Sequence, residues 1–170
     1  VSEWKYLHAV QGKDSHYELH SHNVGGSLKR QDFDIRLEGD GASFHLKSAS
    51  FLSESRHIDQ QITLNHLGKN TKSTQVINNV ADSKATATCN GRIVIDNGSS
   101  KADASLSNKN LALGDNVAFN AKPELEIYND DVSCSHGATI SQLSESELFY
   151  LTSRGVHPLS LIHISEPTRP

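Results

Sequence analysis

The chain has 170 residues, of which 35% are hydrophobic and 21% charged, and its formal net charge is −4 at neutral pH. This length limits it to one domain that is large enough to bury a core. Nucleic acids and anionic membrane surfaces select clustered Lys and Arg, and no apolar run here approaches the length of a membrane span. We therefore expect neither a nucleic-acid partner nor a membrane partner.

The chain opens on Val1 and contains no Met. An initiator is thus missing, which indicates an internal fragment of a longer protein.

Short runs of alternating apolar and polar residues follow one another along most of the chain, and turn-forming residues separate them. Such alternation predicts strands, and Gly25-Gly26 and residues 38–41 predict turns between them. The predicted strands are 4–7, 17–22, 33–37, 44–47, 58–64, 75–80, 85–89, 92–95, 102–106, 111–113, 117–119 and 125–128. The chain is therefore predicted to be all-β up to residue 144.

Similar apolar triplets beginning at Ile35, Ile62, Ile93 and Leu125 recur at steps of 27, 31 and 32 residues. Loose recurrence of this kind is typical of a solenoid, in which each coil adds strands that stack on the next. Short strands with regular turns are also typical of a β-sandwich, and spacing alone does not separate the two. The asparagines at 78–79 and 108–110 suit tight coil corners, where such residues tolerate a left-handed backbone.

A helix is predicted from Glu145 to about Arg154. Ser144 is the expected N-cap with Glu147 as its capping-box partner, and Leu143 and Leu148 occupy the staple positions. An apolar face is expected from Leu148, Phe149 or Tyr150, and Leu151, and Gly155 is placed to end the helix.

The residues best suited to chemistry are Cys134 and His136, just after the predicted strand 125–128. Two residues apart in an extended segment, their side chains share one face, so both could reach one metal or sulfur species. The other cysteine, Cys89, is typical of a small buried residue, although the two thiols could form a disulfide in a secreted protein. A reduced compartment suits Cys134 better.

Residues 125–139, LEIYNDDVSCSHGAT, and residues 148–155, LFYLTSRG, closely resemble the signature of the SufB/SufD family of iron–sulfur cluster assembly proteins. Gly137 resembles the SufD branch, and a looser resemblance extends back to about His66. The resemblance implies a right-handed parallel β-helix that favours the solenoid alternative. It also implies a non-catalytic scaffold, in the cytoplasm or a plastid, that pairs with a SufB-like subunit and couples to a SufC-like ATPase.

The same resemblance implies that His136 faces the SufB-like partner across a heterodimer interface. Cys134 and His136 are then the expected ligands of iron or of a transient iron–sulfur cluster shared with that partner. Thiolate and imidazole are ligand types that suit such chemistry. No Gly-rich phosphate loop or nucleophile elbow is visible, so ATP hydrolysis is expected from another subunit.

The expected division is a β-helix core at 1–143, the start of a C-terminal helical region at 144–158 and a non-native tail at 159–170. The tail, LSLIHISEPTRP, resembles a translated sequencing adapter, so its His163 is not counted as a ligand. Most of the contact region for the ATPase is expected to be missing.

The remaining polar groups are expected to be structural or solvated. Asp130 and Asp131 are read as a solvated turn. The histidines interpreted as scattered surface residues are His16, His20, His22, His45 and His57. His66 is the exception worth following, because it lies where the family resemblance begins. Two other functions stay open from sequence: a carbohydrate-active β-helix resembling pectate lyase, and a purely structural solenoid.

Overall fold

The computed structural model describes residues 1–142 and 145–156, which form ten strands and one helix. In chain order these are β1 (Ser2–Gln11), β2 (His16–Val24), β3 (Leu28–Leu37), β4 (Ser43–Leu52), β5 (His57–His66), β6 (Lys72–Ala81), β7 (Thr86–Ile95), β8 (Asp103–Ala112), β9 (Ala118–Ile127), β10 (Ser133–Gln142) and α1 (Glu145–Ser153).

The strands build a parallel β-solenoid. The odd-numbered strands form one five-stranded sheet in the order β1-β3-β5-β7-β9, and the even-numbered strands form a second in the order β10-β8-β6-β4-β2. Every pair is parallel, so each of the five coils contributes one strand to each sheet. The predicted solenoid is confirmed and the β-sandwich alternative is wrong, because the strands stack in sequence order without antiparallel return.

The register differs from the predicted alignment of triplets by two residues on both sides of the Ile62 triplet, and agrees with it between Ile93 and Leu125. Ile35 lies beside Leu64, and Ile62 lies beside Phe33, while Leu64 lies beside Ile93. Side chains alternate across a strand, so a shift of two leaves the same residues facing inward. The prediction therefore identified the buried face correctly although it misplaced the partners.

Alternate residues of each strand point between the two sheets and form the core. Its main cluster contains fully buried Ile35, Phe44, Leu46, Leu64 and Ile93. Burial of each such side chain stabilises the fold by roughly 1.5–3 kcal/mol. The core runs the length of the solenoid because the coils repeat the same inward pattern.

The asparagines predicted to form coil corners lie inside strands, so that prediction is wrong. Asn79 in β6 lies beside Asn110 in β8, and its Nδ2 donates to Asn110 Oδ1 at 2.9 Å. Parallel stacking brings like residues side by side, which lets buried amides bond to each other between coils. Likewise Asn90 and Gly91, read as a gap between strands, lie within β7.

The corners are made by other residues. Residues with positive φ stack on successive coils at one edge, where the Asn70 N–H donates to the Ser100 carbonyl and the Lys101 N–H to the Asp131 carbonyl. The predicted turns at Gly25-Gly26 and residues 38–41 are confirmed, and both glycines of the first have positive φ.

The predicted helix is confirmed as α1, which lies against the outer face of the even-numbered sheet. Leu151 and Val156 pack on Val80 and Leu111, and Gly155 has a φ of +79° after the last turn. The predicted apolar face is narrower than expected, because Phe149 and Tyr150 are 74% and 54% exposed. The predicted cap, Ser144, the staple residue Leu143 and the predicted tail at 159–170 lie outside the described residues.

Within the described part of the chain, no helix has the length and apolar character needed to cross a membrane.

Candidate functional site

The predicted site residues lie on β10, the outermost strand of the last coil. β10 pairs with β8 on one side only, and no other strand of the described residues covers its second edge. The Ser133 N–H donates to the Ala102 carbonyl at 2.8 Å. Successive N–H groups of a strand point to opposite sides, so those of Cys134, His136 and Ala138 point toward the open edge.

The open edge of β9, the other strand of the last coil, contains a proline and is therefore less able to pair with an added strand. The Ala118 N–H donates to the Ala85 carbonyl, so every second residue from Phe119 onward turns its backbone toward the open side. Pro123 occupies one of these positions, and proline has no N–H to offer a partner strand. β10 contains no proline and is therefore the better template for an added strand.

Apolar side chains are exposed at this end of the solenoid. Ile127 is 45% exposed, Tyr128 61% and Ile140 60%. Leu125 and Cys134 are only half covered as they pack against the main core. The end of the last coil thus presents core-type residues to the surroundings, which marks a surface suited to further packing.

Cys134 lies beside Ala104 in the register and points toward the core. Burial and the nearby carboxylate of Asp103 raise the pKa of its thiol, and a backbone hydrogen bond from Ala104 offsets part of this. The raised pKa keeps the thiol protonated at neutral pH, whereas nucleophiles and metal ligands act as thiolates. Binding of a metal at Cys134 would therefore release the thiol proton.

His136 lies beside Leu106 and is exposed. Cys134 and His136 occupy the same face of β10, as predicted, with Cα atoms roughly 6.6 Å apart by strand geometry. In the described residues no three His, Cys, Asp or Glu side chains are placed to hold one metal ion. The two residues therefore form, at most, part of a ligand set.

Asp130 and Asp131 are exposed in the turn between β9 and β10. The Asp131 N–H donates to Asn129 Oδ1 at 2.9 Å, and its carbonyl accepts from the Lys101 N–H. These contacts are those of a solvated turn, as the sequence indicated.

His66 is fully buried and structural. Its Nδ1 lies 2.8 Å from Thr71 Oγ1 and its Nε2 2.9 Å from Ser73 Oγ, and burial lowers its pKa to about 4. The sequence singled it out as the exception among the scattered histidines, without predicting that it is buried. The end of β5, where side chains alternate inward, places it in the core.

The second thiol, Cys89, is buried in β7, and both cysteines are free. Burial, followed by the charge of Asp59, raises the pKa of Cys89 to about 12. It is the inert core residue that the sequence predicted.

Comparison with known proteins gives a family match over most of the chain. The sequence profile described as "SUF system FeS cluster assembly, SufBD core domain" matches residues 1–159. The iron–sulfur cluster assembly protein SufD of Escherichia coli is 33% identical over 81% of this chain and 33% of its own length. An iron–sulfur cluster assembly SufBD family protein of Synechocystis is 34% identical over 91% of the chain and 34% of its own length.

A chloroplastic protein of Arabidopsis thaliana, ABCI7, is 31% identical over 89% of the chain and 32% of its own length. The chain thus spans about a third of the length of each of these relatives.

Proposed function

Because the chain belongs to the SufB/SufD family of the SUF iron–sulfur cluster assembly system, we propose that it is the core of a SufD-like scaffold subunit. In this role it pairs with a SufB-like subunit through the open edge of β9 and β10, and it performs no catalysis itself. A SufC-like ATPase supplies the energy. A cytoplasmic or plastid location is part of the same proposal, and the plastid alternative is supported by a relative that is named chloroplastic.

The observation that carries this proposal is the position of His136, an exposed imidazole with an incomplete ligand set on a strand that pairs on one side only among the described residues. Iron in such clusters is held by several thiolates or imidazoles. The described residues offer only Cys134 beside His136 on this surface. In this proposal the remaining ligands come from a second chain docked at the same edge.

The edge itself suits such docking. Free N–H groups on β10 allow a partner strand to extend the sheet by main-chain hydrogen bonds. The exposed Ile140 lies on the same strand, and burying it against a partner contributes roughly 25 cal/mol for each Å² of apolar surface removed from water. Main-chain pairing and apolar packing would together set the partner beside His136.

The two site residues contribute unequally in this proposal. Cys134 is partly buried whereas the imidazole of His136 is exposed, so His136 is the more accessible ligand. The principal thiolate of the cluster is then supplied by the partner. Iron or the nascent cluster is cargo in this scheme and passes on to other proteins.

The test is to co-express the full-length protein with its SufB-like and SufC-like partners and to measure complex recovery, iron and acid-labile sulfide. We expect His136→Ala to keep the complex intact while the iron and sulfide content falls strongly, because an exposed side chain contributes little stability. Cys134→Ser should reduce the content less. The matched control is His22→Ala, because His22 is an exposed histidine on β2, far from β10 in the sequence. This substitution should change neither the recovery of the complex nor its iron and sulfide content.

Docking at the β10 edge is tested separately by Ala138→Pro. Its N–H points away from β8, so the substitution leaves the β8–β10 hydrogen bonds in place and should prevent recovery of the complex. Normal cluster content in His136→Ala would show that His136 is structural. An intact complex in Ala138→Pro would place the partner on another surface.

Family membership argues against a carbohydrate-active enzyme. A purely structural solenoid is separated from the proposed scaffold by the same experiment, since a structural role would leave iron and sulfide unaffected by His136→Ala.

A further inference from the structure

Asparagine is followed directly by glycine at two places in the chain, Asn90-Gly91 and Asn97-Gly98. In such a pair the main-chain nitrogen of the glycine can attack the side-chain amide carbon of the asparagine, because glycine has no side chain to restrict the backbone. This reaction is one reason why asparagine counts among the thermolabile residues. It needs a backbone that is free to rotate and a nitrogen that is not held in a ladder of hydrogen bonds, so the fold decides which pair reacts.

Asn97-Gly98 forms the tip of the turn between β7 and β8. Both residues are exposed, and a Cβ added at Gly98 would meet only Asp96 Oδ2, at 3.8 Å. Among the described residues the Asn97 side chain has no hydrogen-bond partner, and the Gly98 N–H donates only to Asp96 Oδ2, at a long 3.5 Å. The attacking nitrogen is therefore not fixed by a main-chain hydrogen bond.

The two ends of the same turn are held by the coil before it. The Asp96 N–H donates to the His66 carbonyl at 3.0 Å, and Ser99 Oγ donates to the same carbonyl at 2.7 Å. The Ser99 N–H also donates to the Asp96 carbonyl at 3.0 Å. The tip of the turn can thus rotate while the solenoid beneath it stays closed.

Asn90-Gly91 lies in the middle of β7, which pairs with β5 on one side and with β9 on the other. Gly91 is buried, and a Cβ added there would lie 2.7 Å from Leu106 Cδ2. In a strand that is paired on both sides, successive N–H groups are bound in the ladders. The glycine nitrogen is then available only when β7 opens, which makes this pair an internal control.

We propose that Asn97 is a modification site, at which spontaneous deamidation converts the asparagine into aspartate and isoaspartate. The Gly98 nitrogen forms a bond to Asn97 Cγ while the Cγ–Nδ2 bond breaks, and Nδ2 leaves as ammonia with the proton that the Gly98 nitrogen gives up. Water then opens the cyclic imide. Cleavage at Cγ gives aspartate, and cleavage at the main-chain carbonyl carbon gives isoaspartate, in which the main chain runs through the former side chain.

The isoaspartate product acts on the turn between β9 and β10. Asn129 Nδ2 donates to the Asn97 carbonyl at 2.5 Å, and the Asp131 N–H donates to Asn129 Oδ1 at 2.9 Å. In isoaspartate this carbonyl becomes part of a free carboxylate, and the main chain is longer by a methylene group. The acceptor of Asn129 is displaced, so the modification loosens the turn that leads into β10.

The test is incubation of the full-length protein at pH 8, followed by peptide mapping by mass spectrometry, which detects the replacement of an amino group by a hydroxyl. Isoaspartate is identified by labelling with isoaspartyl methyltransferase. We expect Asn97 to react at least about tenfold faster than Asn90, a ratio that requires only about 1.4 kcal/mol of opening free energy in β7. In urea, where the chain is unfolded, the difference should disappear.

Gly98→Ala is the matched variant, because Gly98 does not have a positive φ and a Cβ fits there. It should keep the fold, as monitored by circular dichroism, and should strongly slow the reaction at Asn97; Asn97→Gln replaces it if it does not fold. The Lys101 N–H, which donates to the Asp131 carbonyl, reports on the β9–β10 turn by hydrogen exchange. Its exchange should become faster in the incubated unaltered protein than in the incubated variant.

Equal rates at Asn97 and Asn90 in the folded protein would overturn the proposal. So would an Asn97 that stays unmodified in the folded protein while it reacts in urea. Unchanged exchange at Lys101 in protein that contains isoaspartate would overturn the effect on the β9–β10 turn.

Discussion

Acidification should destabilise the solenoid through His66, the one histidine of the described residues that is buried in the core. Thr71 Oγ1 donates to the Gly68 carbonyl at 3.2 Å, so it accepts from Nδ1–H of His66, and Ser73 is left to donate to Nε2. The neutral imidazole is thereby satisfied at both nitrogens. A proton added to Nε2 would place a charge in the core without an acid to pair with it.

The size of the effect follows from the difference between the folded and unfolded pKa values. The pKa is about 4 in the folded protein, against 6.5 for the free side chain. Between these values the unfolded chain binds more protons, so the contribution of His66 to stability is fully present above pH 6.5 and is lost as the pH falls toward 4. At 1.36 kcal/mol for each unit, the full loss is about 3 kcal/mol, of which about 2 kcal/mol falls between pH 7 and pH 5.

The assay compares the free energy of unfolding in urea at pH 7 and pH 5 for the unaltered protein and for His66→Gln. Glutamine keeps one donor and one acceptor but does not titrate, and the carboxylates that also respond to acid are the same in both proteins. We expect the unaltered protein to lose about 2 kcal/mol more than the variant over this interval. Equal losses, or an NMR-measured pKa near 6.5 for His66, would refute the reasoning.

Two further predictions concern the core. Gly91→Ala should destabilise the fold by about 1–3 kcal/mol, the usual cost of overpacking, because an added Cβ would lie 2.7 Å from Leu106 Cδ2. Gly137→Ala is the control, because a Cβ added there would have nothing within 4 Å. Its free energy of unfolding in urea should be nearly unchanged. Iodoacetamide at pH 8 should modify Cys134 well before Cys89, since Cys89 is buried with its pKa raised to about 12; equal rates, measured by mass spectrometry, would contradict the buried placement of β7.

Much of the fold could be predicted because the strand signal is local. Alternation marked the inward face correctly at Phe33, Ile62 and Ile93, and the recurrence of apolar triplets indicated stacked coils. In β8, however, Leu111 faces outward and Asn110 faces inward. The triplet at Ile62 was misaligned by two residues with both of its neighbours, because a strand of this length contains several equivalent inward positions. Local pattern fixes the face of a strand, but the pairing of one coil with the next is set by the turns between them.

The asparagines show where local reasoning fails. Asn79 and Asn110 have the propensity of turn residues, and each considered alone favours a corner. In the solenoid they lie side by side on neighbouring strands and bond to each other. That partner is 31 residues away along the chain, so no window of local sequence contains the contact that determines their position.

The candidate site divides in the same way. The shared face of Cys134 and His136 follows from strand period, and the structure bears it out. The properties that decide how the two residues could act do not follow from strand period. The thiol is half-buried beside Asp103, the imidazole is exposed, and Pro123 removes a hydrogen-bond donor from the open edge of the neighbouring strand. All three properties depend on the last coil lying at an open end of the stack. At that end, a residue whose position would be buried in any other coil becomes accessible. An inward-facing histidine is accessible to a metal here because no sixth coil of the described residues covers it, and a partner that supplied that cover would also be placed to supply the missing ligands.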